Sequence, residues 1–264
     1  MNETRPTEDA LEALKSLLPK PLRRWLSARR LDLRRKMLPF DQATDFSRLR
    51  RVKPYRLAFG WHHGMCIDRY YIEAFLAARG EDIHGHVLEV NSDEYTRRFG
   101  GARVTRSDVI DVNEENQART ITADLTHCPS IDDDTFDCVI CTQTLLFIYD
   151  VGAAVRELHR IVKPAGVVLA TLPGIGKICE RALIGGAGED YWRFTLTSAR
   201  RLFAESFGEK NIEVVAYGNV LSAVAFLHGL VVPELTVEEL DYQDPEYQLM
   251  IVVRARKPVT GSDE

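Results

Sequence analysis

From residue 67 onward the chain repeats one pattern: a short apolar run, a turn, an amphipathic stretch and another short apolar run. "IDRYYIEAFLAARG" reads as an amphipathic helix closed by Gly80, and "HVLEV" as the strand that follows. "TRRFG" suggests a short helix; "ARVTRSDV", "ARTITADL" and "TFDCVICTQTLLFI" read as three more strands. "GAAVRELHRIVKPAG" is a helix with a proline–glycine exit, "VVLATLPG" a fifth strand and "TSARRLFAESFG" another helix. "NIEVVAYG" and "YQLMIVVRARK" complete a set of seven strands. Strands alternating with helices at this spacing require an α/β fold with a mostly parallel sheet and helices on both faces. The strands are apolar on both sides, as strands covered by helices on both faces must be.

Residues 15–56 hold fourteen Lys and Arg against three acids, a net of +11; with the whole chain at −5, the remainder carries −16. Leu22, Trp25, Leu26, Leu33 and Met37 share roughly one face of a very basic helix, preceded by a second helical stretch over 7–18. Residues 1–60 are therefore expected to form a basic N-terminal helical arm, and residues 61–264 the main domain. Such an arm packs on its own domain, lies on an anionic membrane surface or binds a phosphorylated glycan. Nucleic acid is not an expected partner, because the arm has one aromatic in its helical part and the body is acidic. The sequence leaves the oligomeric state open.

No apolar run reaches the roughly 18 residues of a membrane span, and the polar, acidic first residues are unlike a secretory signal. Five cysteines in apolar segments suggest buried thiols in a reducing, cytoplasmic setting. Cys138 and Cys141 should face opposite sides of one strand, and no metal site is completed around them.

In an open α/β sheet, ligands sit beyond the carboxyl ends of the strands. Here acids follow three successive strands: Asp93, Asp108 and Asp124. So many carboxylates repel a diphosphate and suit a ligand with a diol, an exocyclic amine and a positive charge. The dinucleotide fingerprint G-x-G-x-x-G is absent after the first strand, which excludes an NAD-dependent oxidoreductase.

The order of elements and these strand ends resemble the class I S-adenosylmethionine-dependent methyltransferases over residues 67–256. "LHRIVKPAGVVLATLP" is the most specific match; "ADL" and "FDCVICTQTL" also fit. "EDYWRFT" and "IDRYYIEAFL" are similar to segments of bacterial methyltransferases of sugar and glycan pathways. The resemblance implies a seven-stranded Rossmann-like sheet, S-adenosyl-L-methionine as cofactor and S-adenosyl-L-homocysteine as product. One signature departs from it: after "VLE" the loop carries Asn91 and Asp93 where the family has glycines. Asn tolerates the left-handed backbone such a turn needs.

By that resemblance, Glu89 and Asp93 would meet the cofactor's ammonium, with Arg69 and Tyr70 at its carboxylate. Asp108, about twenty residues after Glu89, would hold the ribose, with Asp111 the competing residue. Asp124 and Leu125 would take the adenine, and Gln143 would close the cofactor side. His62 and His63 in "GWHHG" are the candidate general bases for a hydroxyl acceptor. Tyr191, Trp192, Arg193 and His228 would line the acceptor side. The implied activity is O-methylation of a sugar, glycan or phenolic hydroxyl. The rival reading is a methyltransferase-like scaffold that has lost catalysis.

Overall fold

The computed structural model describes residues 50–179 and 189–259. The expected helices over 7–18 and 22–37 lie outside the described residues. The chain divides into two compact units, Met1–Val52 and Lys53–Glu264. Residues 53–60, assigned by sequence to the arm, fall in the second unit, where Arg56 donates its backbone N–H to His228 and pairs with Glu234.

The second unit is built on a seven-stranded sheet in the order β3-β2-β1-β4-β5-β7-β6. Its strands are β1 (Gly85–Val90), β2 (Val104–Asp111), β3 (Ile121–Thr122), β4 (Phe136–Thr142), β5 (Val162–Pro173), β6 (Ile212–Tyr217) and β7 (Met250–Arg256). All neighbours are parallel except β7, which runs antiparallel to both β5 and β6. From β1 the chain steps outward to β2 and β3, then returns to β4 on β1's other side. That reversal opens a crevice at the carboxyl ends of β1 and β4, where open α/β sheets bind ligands.

Helices α1 (Ile67–Ala78), α4 (Val220–Leu227) and α5 (Val237–Asp241) cover one face; α2 (Val151–Ile161) and α3 (Leu196–Phe207) cover the other. Val87 and Cys138 pack toward α1 and α4, while Leu88 and Cys141 pack toward α2 and α3. The two cysteines thus face opposite sides, as their odd spacing requires.

Local chemistry explains where the elements depart from expectation. Helix α2 starts at Asp150, whose side chain accepts from the Ala153 N–H at 2.9 Å. The Lys-Pro-Ala-Gly exit belongs to β5 itself, whose pairing with β4 skips residues between Val162 and Val167. Gly166 is required there, since a Cβ would lie 2.9 Å from the Asp137 and Lys163 carbonyl oxygens. Strand β4 stops at Thr142 instead of running to Ile148: Gln143 turns the chain at φ 48°, and Leu145–Phe147 form a buried 3-10 turn. Helix α4 went unread because "VLSAVAFL" is apolar nearly all round and shows no periodicity. Asn219 and Ser222 begin it with a reciprocal capping box.

Candidate active site

At the crevice lies a cavity of about 1160 Å³, lined from the segment before α1, the first turns of α1, the ends of β1, β2 and β4, and the stretch after β5. It lies somewhat above the roughly 300–1,000 Å³ typical of small-molecule sites.

The turn after β1 answers the glycine question. Asn91 adopts φ 71°, the left-handed conformation a glycine would supply. Its N–H donates to the Ile110 carbonyl at 3.0 Å, and its carbonyl accepts from Asn116 Nδ2 at 2.8 Å. Glu89, 1% exposed, holds the other side of the turn. Its carboxylate accepts from the Thr96 N–H and hydroxyl, both at 2.7 Å, and from the Tyr95 N–H at 3.2 Å. Burial raises the Glu89 pKa, and these donors offset only part of the rise. Although Glu89 reaches the cavity wall, most of its hydrogen-bonding capacity holds the loop together.

Several of the expected residues lie off the cavity. Asp93 does not line the cavity; its carboxylate pairs with Arg97 at 3.0 Å, one helical turn on. Asp108 is also off the cavity, because β2 continues three residues beyond it and leaves it inside the sheet. It takes His86 Nε2 at 2.6 Å, the Thr120 hydroxyl at 2.7 Å and Arg106 at 3.0 Å. Burial alone would raise its pKa, but the hydrogen bonds from His86 and Thr120, with the Arg106 charge, bring it below the ordinary value. The strand-end acid in the cavity is Asp111, the residue that competed for this role.

Tyr70 points away and donates to Asp241 at 2.7 Å. His63 is not at the cavity; it lies near enough to Glu234 to help lower that carboxyl's pKa. Trp192 packs against the core and donates Nε1 to the Ile148 carbonyl at 3.0 Å. His228 ends α4 and stacks edge-on with Tyr55, outside the cavity.

The remaining expected residues converge. His62, Arg69, Asn91, Asp124, Leu125 and Gln143 all line the cavity, as do Tyr191 and Arg193. Asp124 Oδ1 accepts from the Thr126 N–H and hydroxyl, an Asx-turn, while Oδ2 has no hydrogen bond among the described residues. Leu125 is buried beside it. Gln143 is held by Thr171, which takes its backbone N–H and its Nε2. Arg193 makes a bidentate pair with Asp190 and also donates to the Lys177 carbonyl, so its charge is largely neutralised.

Sequence reading missed Asp68, Trp61 and Tyr149. Asp68 follows Ile67 in the first turn of α1, and burial raises its pKa to about 6. Tyr149 and Tyr191 meet edge to face at 5.4 Å, both exposed at the cavity wall. The signal for Tyr149 was its place between the end of β4 and the α2 cap.

This donor set fits S-adenosylmethionine. Asp111 and Asp124 present carboxylates suited to a diol and an exocyclic amine, Leu125 offers an apolar surface, and the wall is acidic enough for a sulfonium. Residues 74–170 match the methyltransferase domain family. No curated protein matches the chain in a direct sequence comparison. Among solved structures, a Mesorhizobium loti S-adenosylmethionine-dependent methyltransferase aligns at 15% identity and TM-score 0.48, over 72% of this chain and 98% of its own. The YcgJ protein of Bacillus subtilis aligns at 14% and 0.45, over 72% and 99%. Haemonchus contortus phosphoethanolamine N-methyltransferase 2, in complex with S-adenosylmethionine, aligns at 13% and 0.43, over 66% of this chain and 49% of its own. The family match covers 97 of the chain's 264 residues, and the donor set of the cavity fits S-adenosylmethionine as a cofactor.

Proposed function

We propose that the chain is an S-adenosylmethionine-dependent O-methyltransferase whose acceptor is a sugar, glycan or phenolic hydroxyl. The observation that carries this is what lines the cavity besides the expected cofactor residues. The Asn91 loop and Asp124 share its walls with His62 and the exposed rings of Tyr149 and Tyr191, and its volume of about 1160 Å³ is large for a single small ligand. Ring faces of this kind suit both the CH surface of a sugar and a flat phenol.

The cofactor, when bound, supplies a methyl group already activated by its sulfonium. The chain's task is then alignment and proton removal. His62 is assigned the proton, as the histidine that lines the cavity among the described residues. Tyr191 and Tyr149 orient the acceptor, and Arg193 holds Tyr191's segment through its pair with Asp190. The scaffold reading rested on the missing glycines. Asn91 supports a working loop instead, because it supplies the required φ without one.

Calorimetric titration with S-adenosylhomocysteine tests the first half of the proposal, and transfer of a labelled methyl group to a panel of sugars and phenols tests the second. Low-micromolar binding is expected, with His62→Ala lowering transfer about 10²-fold or more while binding is kept. If the folded protein does not bind, the scaffold reading stands. Transfer only to amines would refute O-methylation.

A further inference from the structure

Helix α4 is apolar nearly all round, yet only one side of it is covered. Ser222, Ala223, Ala225 and Phe226 are buried, whereas Val220, Leu221 and Leu227 are 51%, 45% and 41% exposed. Val220, Val224 and Leu227 are spaced i, i+4 and i+7, so they form one outward stripe with Leu221 beside it. A helix that is apolar on every side belongs inside a core or against a partner. The stripe continues past the end of the helix. There Arg56 donates its N–H to the His228 carbonyl at 3.0 Å, and the Tyr55 ring meets that of His228 at 5.1 Å. These contacts bring the exposed side chains of Tyr55 and Leu57 to the Leu227 end. A continuous apolar surface of this kind marks a place of association.

The two ends of the stripe differ in charge. At the start of α4, Asn219 Nδ2 donates to the carbonyls of Glu239 and Tyr242 at 2.7 and 2.8 Å, and the Asp244 N–H donates to the Gly218 carbonyl at 2.9 Å. Residues 235–249, held at that end by these bonds, include Glu238, Glu239, Asp241, Asp244 and Glu246 and no Lys or Arg. The sequence between Asp45 and Asp68 is the reverse, with five Lys or Arg and no acid. Two of these five reach the far end of α4: Arg56 lies there in its pair with Glu234, and Lys53 is exposed three residues before it.

We propose that this face binds a second copy of the chain, α4 against α4, as an antiparallel pair about a two-fold axis. A two-fold axis perpendicular to the helix runs the two copies in opposite directions, so the acidic end of each meets the Lys53 end of the other. Parallel pairing would set acid on acid. An anionic bilayer would repel the carboxylates of residues 235–249 at the same surface. A second copy covers the stripe and matches both charged ends at once. The interface also backs one wall of the cavity, because Phe226 on the inner side of α4 lines it and stacks on Phe59 at 5.1 Å. The pairing does not depend on the methyltransferase reading.

The test is sedimentation equilibrium on the full chain. The natural protein should reach twice the mass of one chain at micromolar concentration. Leu221→Glu and Leu227→Glu should each weaken the pairing about a hundredfold or more, since each would enclose an unpaired charge. Far-UV circular dichroism of both variants should be unchanged, because these side chains are exposed in the single chain. Raising sodium chloride from about 0.05 to about 0.5 M should also weaken the pairing, by screening the opposed ends. A natural protein that stays at the mass of one chain would overturn the proposal, as would a dimer that neither substitution weakens. Tightening in salt would overturn the antiparallel arrangement. A single-chain protein that sediments with vesicles of phosphatidylcholine and phosphatidylglycerol, and is released by Leu227→Glu, would overturn the pairing and assign the face to a membrane.

Discussion

Asp108 gives the sharpest separation between a structural and a cofactor role. Its side chain is 9% exposed and accepts from His86 at 2.6 Å, Thr120 at 2.7 Å and Arg106 at 3.0 Å. Arg106 is 68% exposed, so that pairing contributes little. The other two are short bonds to an ionised acceptor in a partly buried site. Removing the carboxylate strands both donors, at about 1.5–3 kcal/mol each. Asp108→Ala should therefore cost roughly 3–6 kcal/mol, a large share of the ordinary 5–15 kcal/mol of a folded domain. Urea unfolding followed by circular dichroism reads this as a lower midpoint at unchanged slope. Calorimetry on the folded variant should show S-adenosylhomocysteine affinity within about twofold of the natural protein, at odds with a place on the ribose. The pH dependence has a definite sign. The folded pKa is depressed, so this carboxyl's stabilisation is complete above its ordinary value of 3.8 and is lost as pH falls below it. A variant with unchanged urea midpoint and tenfold weaker S-adenosylhomocysteine binding would refute the reasoning and return Asp108 to the site.

Asp68 should show the opposite sign: its folded pKa is raised from 3.8 to about 6, so the penalty is absent well below pH 3.8, grows as pH rises through that value and is complete above 6. Asp68→Asn should then stabilise the unliganded protein at pH 7.5 by at most about 3 kcal/mol, several degrees in Tm, with little gain at pH 4; equal Tm at pH 7.5 would contradict the burial argument. At Asn91, φ 71° predicts that Asn91→Gly keeps S-adenosylhomocysteine affinity, whereas Asn91→Val costs roughly 1–2 kcal/mol in strain and weakens binding. A tight-binding, fully stable Asn91→Val protein would show that the turn needs no left-handed residue.

The fold was legible because its signals are periodic. Strands buried on both faces announce themselves as apolar runs, and α2 was read from "GAAVRELHRI" before its lysine–proline exit. The Asn91 turn was legible too, since few residues other than glycine tolerate its φ. What escaped was position to within a few residues. Asp108 and Asp111 are three apart, and extending β2 through Asp111 exchanges which acid stands at the strand end and which is enclosed. Asp93 and Tyr70 had suitable chemistry but found nearer partners in Arg97 and Asp241, which no local pattern discloses. Of the two histidines of "GWHHG", His62 lines the cavity and His63 does not, and nothing in the local pattern separates them.

β1, β4 and β5 each give alternate side chains to two different cores, as Val87 and Leu88, Cys138 and Cys141, and Leu169 and Ala170 do. Neither core can loosen without stripping one side from the strands that back the other. The cavity hangs from the ends of these same strands, so it has no private scaffold. Damage to Phe203 or Phe207 beneath α3 would reach the Asn91 turn through Leu88 and Glu89 on β1, and a ligand held there would brace both halves of the molecule at once.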